Sequence, residues 1–311
     1  MSSIQSVRYR NFGWDIAADL HLPENFDVSA IYPAIVSTHP IGSCKEQTAG
    51  NIYAKALADA GFVVLVHDAS FQGESGGEPR NIEDPGIRVS DIRFAVDYLQ
   101  TLPYVDAQRI GAIGVCGGGA YTIHAAITDH RLKAITSITG VNYGRLIREG
   151  FAEFQPRQMA ANIADMRTGY AQSPSGSTDA ADLLPPSVEA AKAAGITDID
   201  VLEATEYYKT ERGQKPNGKT SQLMSFTGAA MGWDAFTNAE VLLTQPLMVV
   251  IGSKPGGFGA YQDGWEIYSR AGSEHKEIVV VDGYSHYDLY DRAEPVAEAM
   301  TRVIPFFKEH L

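Results

Sequence analysis

The sequence predicts an α/β fold built on a mostly parallel, doubly wound sheet, and three observations carry that prediction. Short apolar runs without polar alternation recur at 34–38, 62–66, 110–115, 134–138, 247–251 and 278–281. Runs of this kind suit strands covered on both faces, as in parallel sheets. Helical spacing fills the gaps between them: Ile52, Ala56 and Ala60, then Ile92, Val96 and Leu99, and finally Val296, Met300, Val303 and Phe307. Such alternation calls for right-handed crossovers. Ahead of it, 7–12 and 14–22 flank Asn11-Phe12-Gly13 and predict an antiparallel hairpin.

The 141–236 interval breaks the rhythm, because no strand-like run occurs there. Ordinary connections in α/β units run to about 2–6 residues. The interval is therefore expected to be a helical lid, inserted between the fifth and sixth parallel strands, with helices near 150–169, 187–194 and 200–210 and a polar stretch, SPSGSTDAAD. The core domain is assigned to 1–140 and 237–311. Phe151, Phe154, Met159, Met166, Tyr170, Tyr207, Tyr208, Met224, Phe226 and Met231 are expected either to line an apolar acyl pocket or to fasten the lid to the core.

Composition narrows the function. The chain has 311 residues, 44% of them hydrophobic and 20% charged, with a net charge of −13. That balance fits a globular enzyme and argues against a nucleic-acid partner, since no basic stripe is present. No apolar run reaches the length of a membrane span, and the N-terminus lacks a signal-peptide pattern, so no membrane association is expected. Two cysteines, Cys44 and Cys116, provide no disulfide framework, and free thiols suit a cytoplasmic location. No cofactor and no metal are expected. A homo-oligomer is left open, because no heptad or edge pattern bears on it.

The chemistry is concentrated at Gly114-Val115-Cys116-Gly117-Gly118. Residues 109–115 (RIGAIGV) form an apolar strand that runs straight into a small-residue helix. A Gly-x-nucleophile-x-Gly turn in that context presents its central side chain at the end of the strand, with the helix N-terminus favouring a thiolate. The plainer reading is a buried structural cysteine beside a glycine packing contact. A cysteine nucleophile needs a base, and His286 lies in DGYSHYD, directly after the final strand. Reacting groups gather outside the carboxyl ends of strands in such sheets. His39, His67 and His124 are weaker alternatives. The oxyanion hole is expected from the N–H groups of Gly117 and Ile41, the latter because Pro40 cannot donate. The loop after 247–251 reads GSKPGG and holds no carboxylate. Asp263 is the candidate acid for orienting His286, with Glu266 the alternative.

The chain resembles the α/β-hydrolase superfamily, and within it the dienelactone-hydrolase-like branch that places Cys in a G-x-C-x-G-G elbow. HPIGSCKEQTAG, ASFQGESGGEPR and DGYSHYDLYD are similar to a subgroup containing polyketide transferases and thiohydrolases. The resemblance implies Cys116 as nucleophile and His286 as base. Many relatives carry an Asp shortly after the Gly-Ser-Lys turn, where this chain has Gly256-Gly257, and many carry a serine elbow. The expected activity is hydrolysis of an activated ester, lactone or thioester of a small acyl substrate through an acyl-enzyme. The alternatives are acyl transfer from the same intermediate, or a non-catalytic binding or redox-sensing protein in which Cys44 and Cys116 form a switch.

Overall fold

A computed structural model describes residues 2–150, 155–173 and 180–311. Its centre is an eight-stranded sheet in the order β1-β2-β4-β3-β5-β6-β9-β10. The strands that lead into the sheet are β1 (Ser3–Arg10), β2 (Asp15–Leu22), β3 (Tyr32–Thr38), β4 (Val63–His67), β5 (Val105–Val115), β6 (Leu132–Ile138), β9 (Leu247–Gly252) and β10 (Lys276–Val281). β1 and β2 form the expected antiparallel hairpin, in register from Ser3 opposite Leu22 to Arg10 opposite Asp15. β2 also runs antiparallel to β4, and every later pairing is parallel.

Burial on both faces explains the unbroken apolar runs of the inner strands, while β10, at the sheet edge, is half-buried up to Val281. Every residue of β4 and of β9 is buried. Neighbours in one strand enter different cores: Ile35 packs in one apolar cluster and Val36 in the other. Each fully buried aliphatic side chain contributes about 1.5–3 kcal/mol, so strands covered twice stabilise the sheet more than half-exposed ones would. Helices supply the two covers. α2 (Pro85–Thr101) starts where the Asp84 side chain accepts from the N–H groups of Gly86 (2.8 Å) and Ile87 (3.2 Å), with Pro85 in the first turn. α3 (Gly117–Thr128) follows β5 without a break, and α1 (Lys55–Asp59) is preceded by a π-helical segment, Thr48–Ala54. α12 (Ala293–His310) buries Met300, Val303 and Phe307 on the face its spacing predicts.

Between β6 and β9 come α4 (Tyr143–Glu149), α5 (Pro156–Gln172), β7 (Ala180–Asp182), α6 (Val188–Ala193), α7 (Ile199–Lys209), β8 (Ser221–Leu223), α8 (Gly228–Met231) and α9 (Ala239–Leu242). Two expectations are corrected here. The insertion follows the fourth of the six parallel strands, not the fifth, because β2 is antiparallel to its neighbour β4. The interval also contains strand: β7 and β8 pair antiparallel from Ala180 opposite Leu223 to Asp182 opposite Ser221. Three-residue strands of mixed polarity give no apolar run to recognise. Phe151, Phe154 and residues 174–179 of the polar stretch lie outside the described residues. α10 (Ala260–Arg270) links β9 to β10, and α11 (Asp288–Asp291) precedes α12. Among the described residues no helix is long and apolar enough to cross a membrane.

Candidate active site

The turn from β5 into α3 is tight enough to exclude side chains at its glycines. A Cβ on Gly114 would lie 2.1 Å from the carbonyl oxygen of Gly118, and one on Gly118 would lie 2.3 Å from that of Thr38. Between them Cys116 takes φ 55° and ψ −127°, a region that L-residues rarely adopt. Such strain persists only where the surroundings over-determine it. Here the Cys116 N–H donates to Ile138 O at 3.0 Å, while its carbonyl accepts from Gly119 at 2.9 Å and from Val141 at 3.0 Å.

Cys116 is 6% exposed. The backbone N–H groups of Gly117 and Ile41 and the hydroxyl of Tyr290 lie near enough to its sulfur to favour the thiolate. Burial outweighs them, with Asp200 adding to it, and the thiol is pushed up to about 11. The close fit of the Ile41 loop is visible at Gly117, where a Cβ would sit 2.5 Å from Ile41 Cγ1.

His286 stands in the loop after β10 and is 3% exposed. Its Nε2 is 3.4 Å from the Tyr290 hydroxyl, and its Nδ1 has no hydrogen-bond partner among the described residues. The ring packs against Tyr287 (centroids 4.7 Å apart), Tyr290 (5.4 Å) and Phe258 (5.9 Å). Burial lowers the imidazole to about 3. Tyr290 thus touches both the thiol and the imidazole. The loop is held from below by Thr48 Oγ1 donating to Tyr290 O (2.7 Å), Tyr53 Oη to Leu289 O (2.6 Å) and Arg212 Nη2 to Tyr287 O (2.7 Å).

Asp263 is placed elsewhere. It is fully buried on α10 and accepts from Asn142 N (2.7 Å), Arg145 Nη2 (2.9 Å) and Arg145 Nε. Among the described residues its carboxylate is bound by α4 and the residue that caps it, and not by His286. Burial raises Asp263 to about 6 against the pull of Arg145. Glu266 pairs with Arg270 at 2.7 Å. His39 is buried, its Nε2 accepting from Ala69 N at 3.0 Å with Arg88 alongside. His67 ends β4 in the core, and His124 Nδ1 contacts Ala235 O at 3.1 Å. Cys44 is fully buried with Sγ 3.6 Å from Gln47 Oε1, and both cysteines are free thiols.

Sequence reasoning missed Tyr290 and Asp200, whereas Tyr208, named there as a pocket or packing aromatic, lines the cavity. Tyr290 lies four residues after His286, one turn away on a helical path, and that spacing was the available signal. Over the sulfur opens a largely apolar cavity of about 200 Å³. Cys116 and Ile41 meet Val141, Leu146 and Ile147 from the end of β6 and α4, Met159 from α5, and Leu184, Tyr208 and Met224 from the rest of the insertion. Tyr170 and Phe226 instead pack edge-to-face on each other at 5.1 Å, and Tyr207 belongs to the core. The carboxylates that could hold a cation, Glu46, Asp68 and Glu74, converge on the ammonium of Lys45, which is 2.8 Å from Glu74 and 3.8 Å from Asp68.

Comparison with known proteins places the chain among relatives. Residues 17–161 match the model of the dienelactone hydrolase family. The uncharacterized protein YcjY of Escherichia coli K12 is 41% identical over 95% of this chain and 94% of its own length. The crystal structure of the hypothetical protein PA2218 from Pseudomonas aeruginosa superposes with a TM-score of 0.87 at 32% identity, covering 100% of this chain and 94% of that one. The thiohydrolase aneE of Aspergillus aculeatus is 27% identical over 71% of this chain and 69% of its own length. With this sheet and that relatedness, the chain is an α/β-hydrolase and belongs to the dienelactone hydrolase family.

Proposed function

We propose that the protein hydrolyses thioesters or activated esters of apolar acids, with Cys116 as nucleophile, His286 as general base and residues 141–236 as a lid over the acyl chain. The observation that carries this reading is the Cys116 sulfur beneath an apolar cavity, on a strained turn, with the backbone N–H groups of Gly117 and Ile41 beside it. Donors fixed in that way stabilise the oxyanion of a tetrahedral intermediate, commonly the largest electrostatic contribution in acyl transfer.

In the proposed sequence the Cys116 proton passes to His286 Nε2 as sulfur bonds to the acyl carbon. The tetrahedral oxyanion collapses, the C–S or C–O bond to the leaving group breaks, and the imidazolium protonates that group. A water then gives its proton to His286 and its oxygen to the acyl carbon; the C–S bond to Cys116 breaks, the imidazolium returns the proton to that sulfur, and the acid leaves. A thiolate is itself a good leaving group, so substrates with activated carbonyls are favoured over amides. The name of the relative aneE, thiohydrolase, accords with a thioester.

Intact-mass analysis during turnover tests the reading. It expects an acyl adduct on Cys116 and free acid as product. Full activity in Cys116→Ala would remove it, and product captured on an added alcohol or amine in place of free acid would replace hydrolysis with acyl transfer.

A further inference from the structure

Two buried polar atoms near the thiol lack partners among the described residues: Nδ1 of His286 and Oδ1 of Asp200. Asp200 lies in the first turn of α7 and is 1% exposed. Its other oxygen, Oδ2, accepts the Phe258 N–H at 2.9 Å, and the Phe258 ring stands edge-on to the His286 ring with centroids 5.9 Å apart. The Asp200 charge also reaches the Cys116 thiol and the Tyr287 hydroxyl, raising both. The carboxylate is therefore buried within electrostatic reach of the sulfur and is joined through Phe258 to the His286 ring.

The backbone explains how a carboxylate from the insertion arrives there. The loop after β9, where an orienting acid is expected, carries Gly256-Gly257 and no acidic residue. A Cβ on Gly256 would lie 2.2 Å from Asp200 Cγ, and one on Gly257 would lie 2.8 Å from Asp198 Oδ2. The Asp200 carboxylate thus fills the volume that a side chain at position 256 would claim. Gly257 N donates to Asp198 Oδ2 at 2.8 Å, so the whole β9 loop is seated on the start of α7.

We propose that Asp200 is the acid of the site, a positioning residue carried by the lid that accepts the His286 Nδ1–H. It holds the tautomer whose Nε2 faces Tyr290 and Cys116, and it stabilises the imidazolium formed when the thiol is deprotonated. A single Nδ1–H···Oδ1 hydrogen bond, formed by a small shift of either side chain, would satisfy both unpartnered atoms. The charged groups facing Asp200 are Asp198 and Glu203 on its own helix; Glu203 is engaged by the Ser285 hydroxyl, and His286 is faced by the hydroxyl-bearing rings of Tyr287 and Tyr290. Because the acid rides on α7, the catalytic set is complete only while the insertion is docked on the β9 loop.

The proposal rests on the Cys116–His286 reading above, and the test separates the two. In the full chain, Asp200→Asn is expected to lower kcat for p-nitrophenyl butyrate about 10²–10⁴-fold, the scale seen when an orienting carboxylate is amidated. The limb of the kcat/KM profile that reports His286 should move to lower pH. Alkylation of Cys116 by iodoacetamide at pH 9 should stay as fast or become faster, because a negative charge has left the thiol. A merely structural role would lower kcat without moving that limb. Asp200→Gly combined with Gly256→Asp should recover at least about tenfold of the kcat lost in Asp200→Gly alone, since the two positions share one volume. Asp200→Asn with kcat within threefold of wild type and an unshifted profile would overturn the assignment, as would a lowered kcat with that limb unmoved and no recovery in the swapped pair. If Cys116→Ala keeps its turnover, the nucleophile reading itself fails; if Cys116→Ala is inactive while Asp200→Asn is not, only the role of Asp200 fails.

Discussion

The resting thiol should be sluggish toward electrophiles at neutral pH, and the size of the effect follows from its surroundings. An ordinary cysteine, with a pKa near 8.5, is about 3% thiolate at pH 7. Burial pushes Cys116 up to about 11 and lowers His286 to about 3. Both shifts have the same cause, loss of water around the charged form, so the pair rests neutral rather than as thiolate and imidazolium. At pH 7 the thiolate fraction is then about 1 in 10⁴, roughly 300-fold below free cysteine. A more basic thiolate is intrinsically more nucleophilic, with a Brønsted slope of about 0.4–0.5, and over about 2.5 units this returns roughly tenfold. The net expectation is alkylation about 30-fold slower than free cysteine at pH 7, before any steric hindrance. The assay is the pseudo-first-order rate with iodoacetamide from pH 6 to pH 10, with peptide mapping to separate Cys116 from Cys44. The rate should climb about tenfold per pH unit with no plateau in that range. A plateau between pH 6 and 8, at rates above those of free cysteine, would refute the argument by revealing a preformed ion pair.

Two further outcomes follow. Asp263→Asn removes one partner of a fully buried ion pair, leaving Arg145, which is 8% exposed, with Glu149 and the Phe258 carbonyl; unfolding in urea should show a loss of about 3–5 kcal/mol, and a change under about 1 kcal/mol would mean that the pair is not holding α4 to α10. Tyr290→Phe removes the hydroxyl that touches both thiol and imidazole, so kcat should fall about 10–100-fold, equivalent to one charge-assisted hydrogen bond, with slower alkylation of Cys116 at pH 8; unaltered values of both would exclude a bridging role.

The parts of this molecule that were legible in its sequence are those written in contiguous residues. A strand, a strained turn and a helix occupy 105–128 without interruption, and the close contacts that require Gly114 and Gly118 arise within that stretch or from the adjacent β3. The two-faced burial of β4 and β9 leaves its mark as an unbroken apolar run. Asp263 shows the opposite case. It occupied a plausible position by distance along the chain, yet its partners are Asn142 and Arg145, more than a hundred residues earlier, and nothing local announces an arginine bound for that site. The orphaned state of Asp200 is equally invisible, because it depends on where α7 lands on the β9 loop. Tyr290 was half legible: the spacing from His286 is local, but the sulfur it reaches is on another element.

The same contrast bears on how the site works. Every group that contacts the sulfur from the sheet side, Gly117, Ile41 and Tyr290, is fixed by backbone bonds or by a loop tied to buried residues. The groups that enclose the cavity from above belong to α4, α5, α7 and the β7–β8 pair, which reach the core through Asn142, Arg145, Asp198 and Asp200. A thiol this strongly disfavoured as an anion has little reactivity of its own, so activation depends on an imidazole that can accept its proton at the moment of attack. An imidazole lowered as far as His286 would accept that proton more readily with a carboxylate behind it. Supplying the carboxylate from the covering segment would confine nucleophilic power to the closed state, when an acyl chain and not bulk solvent lies over Cys116.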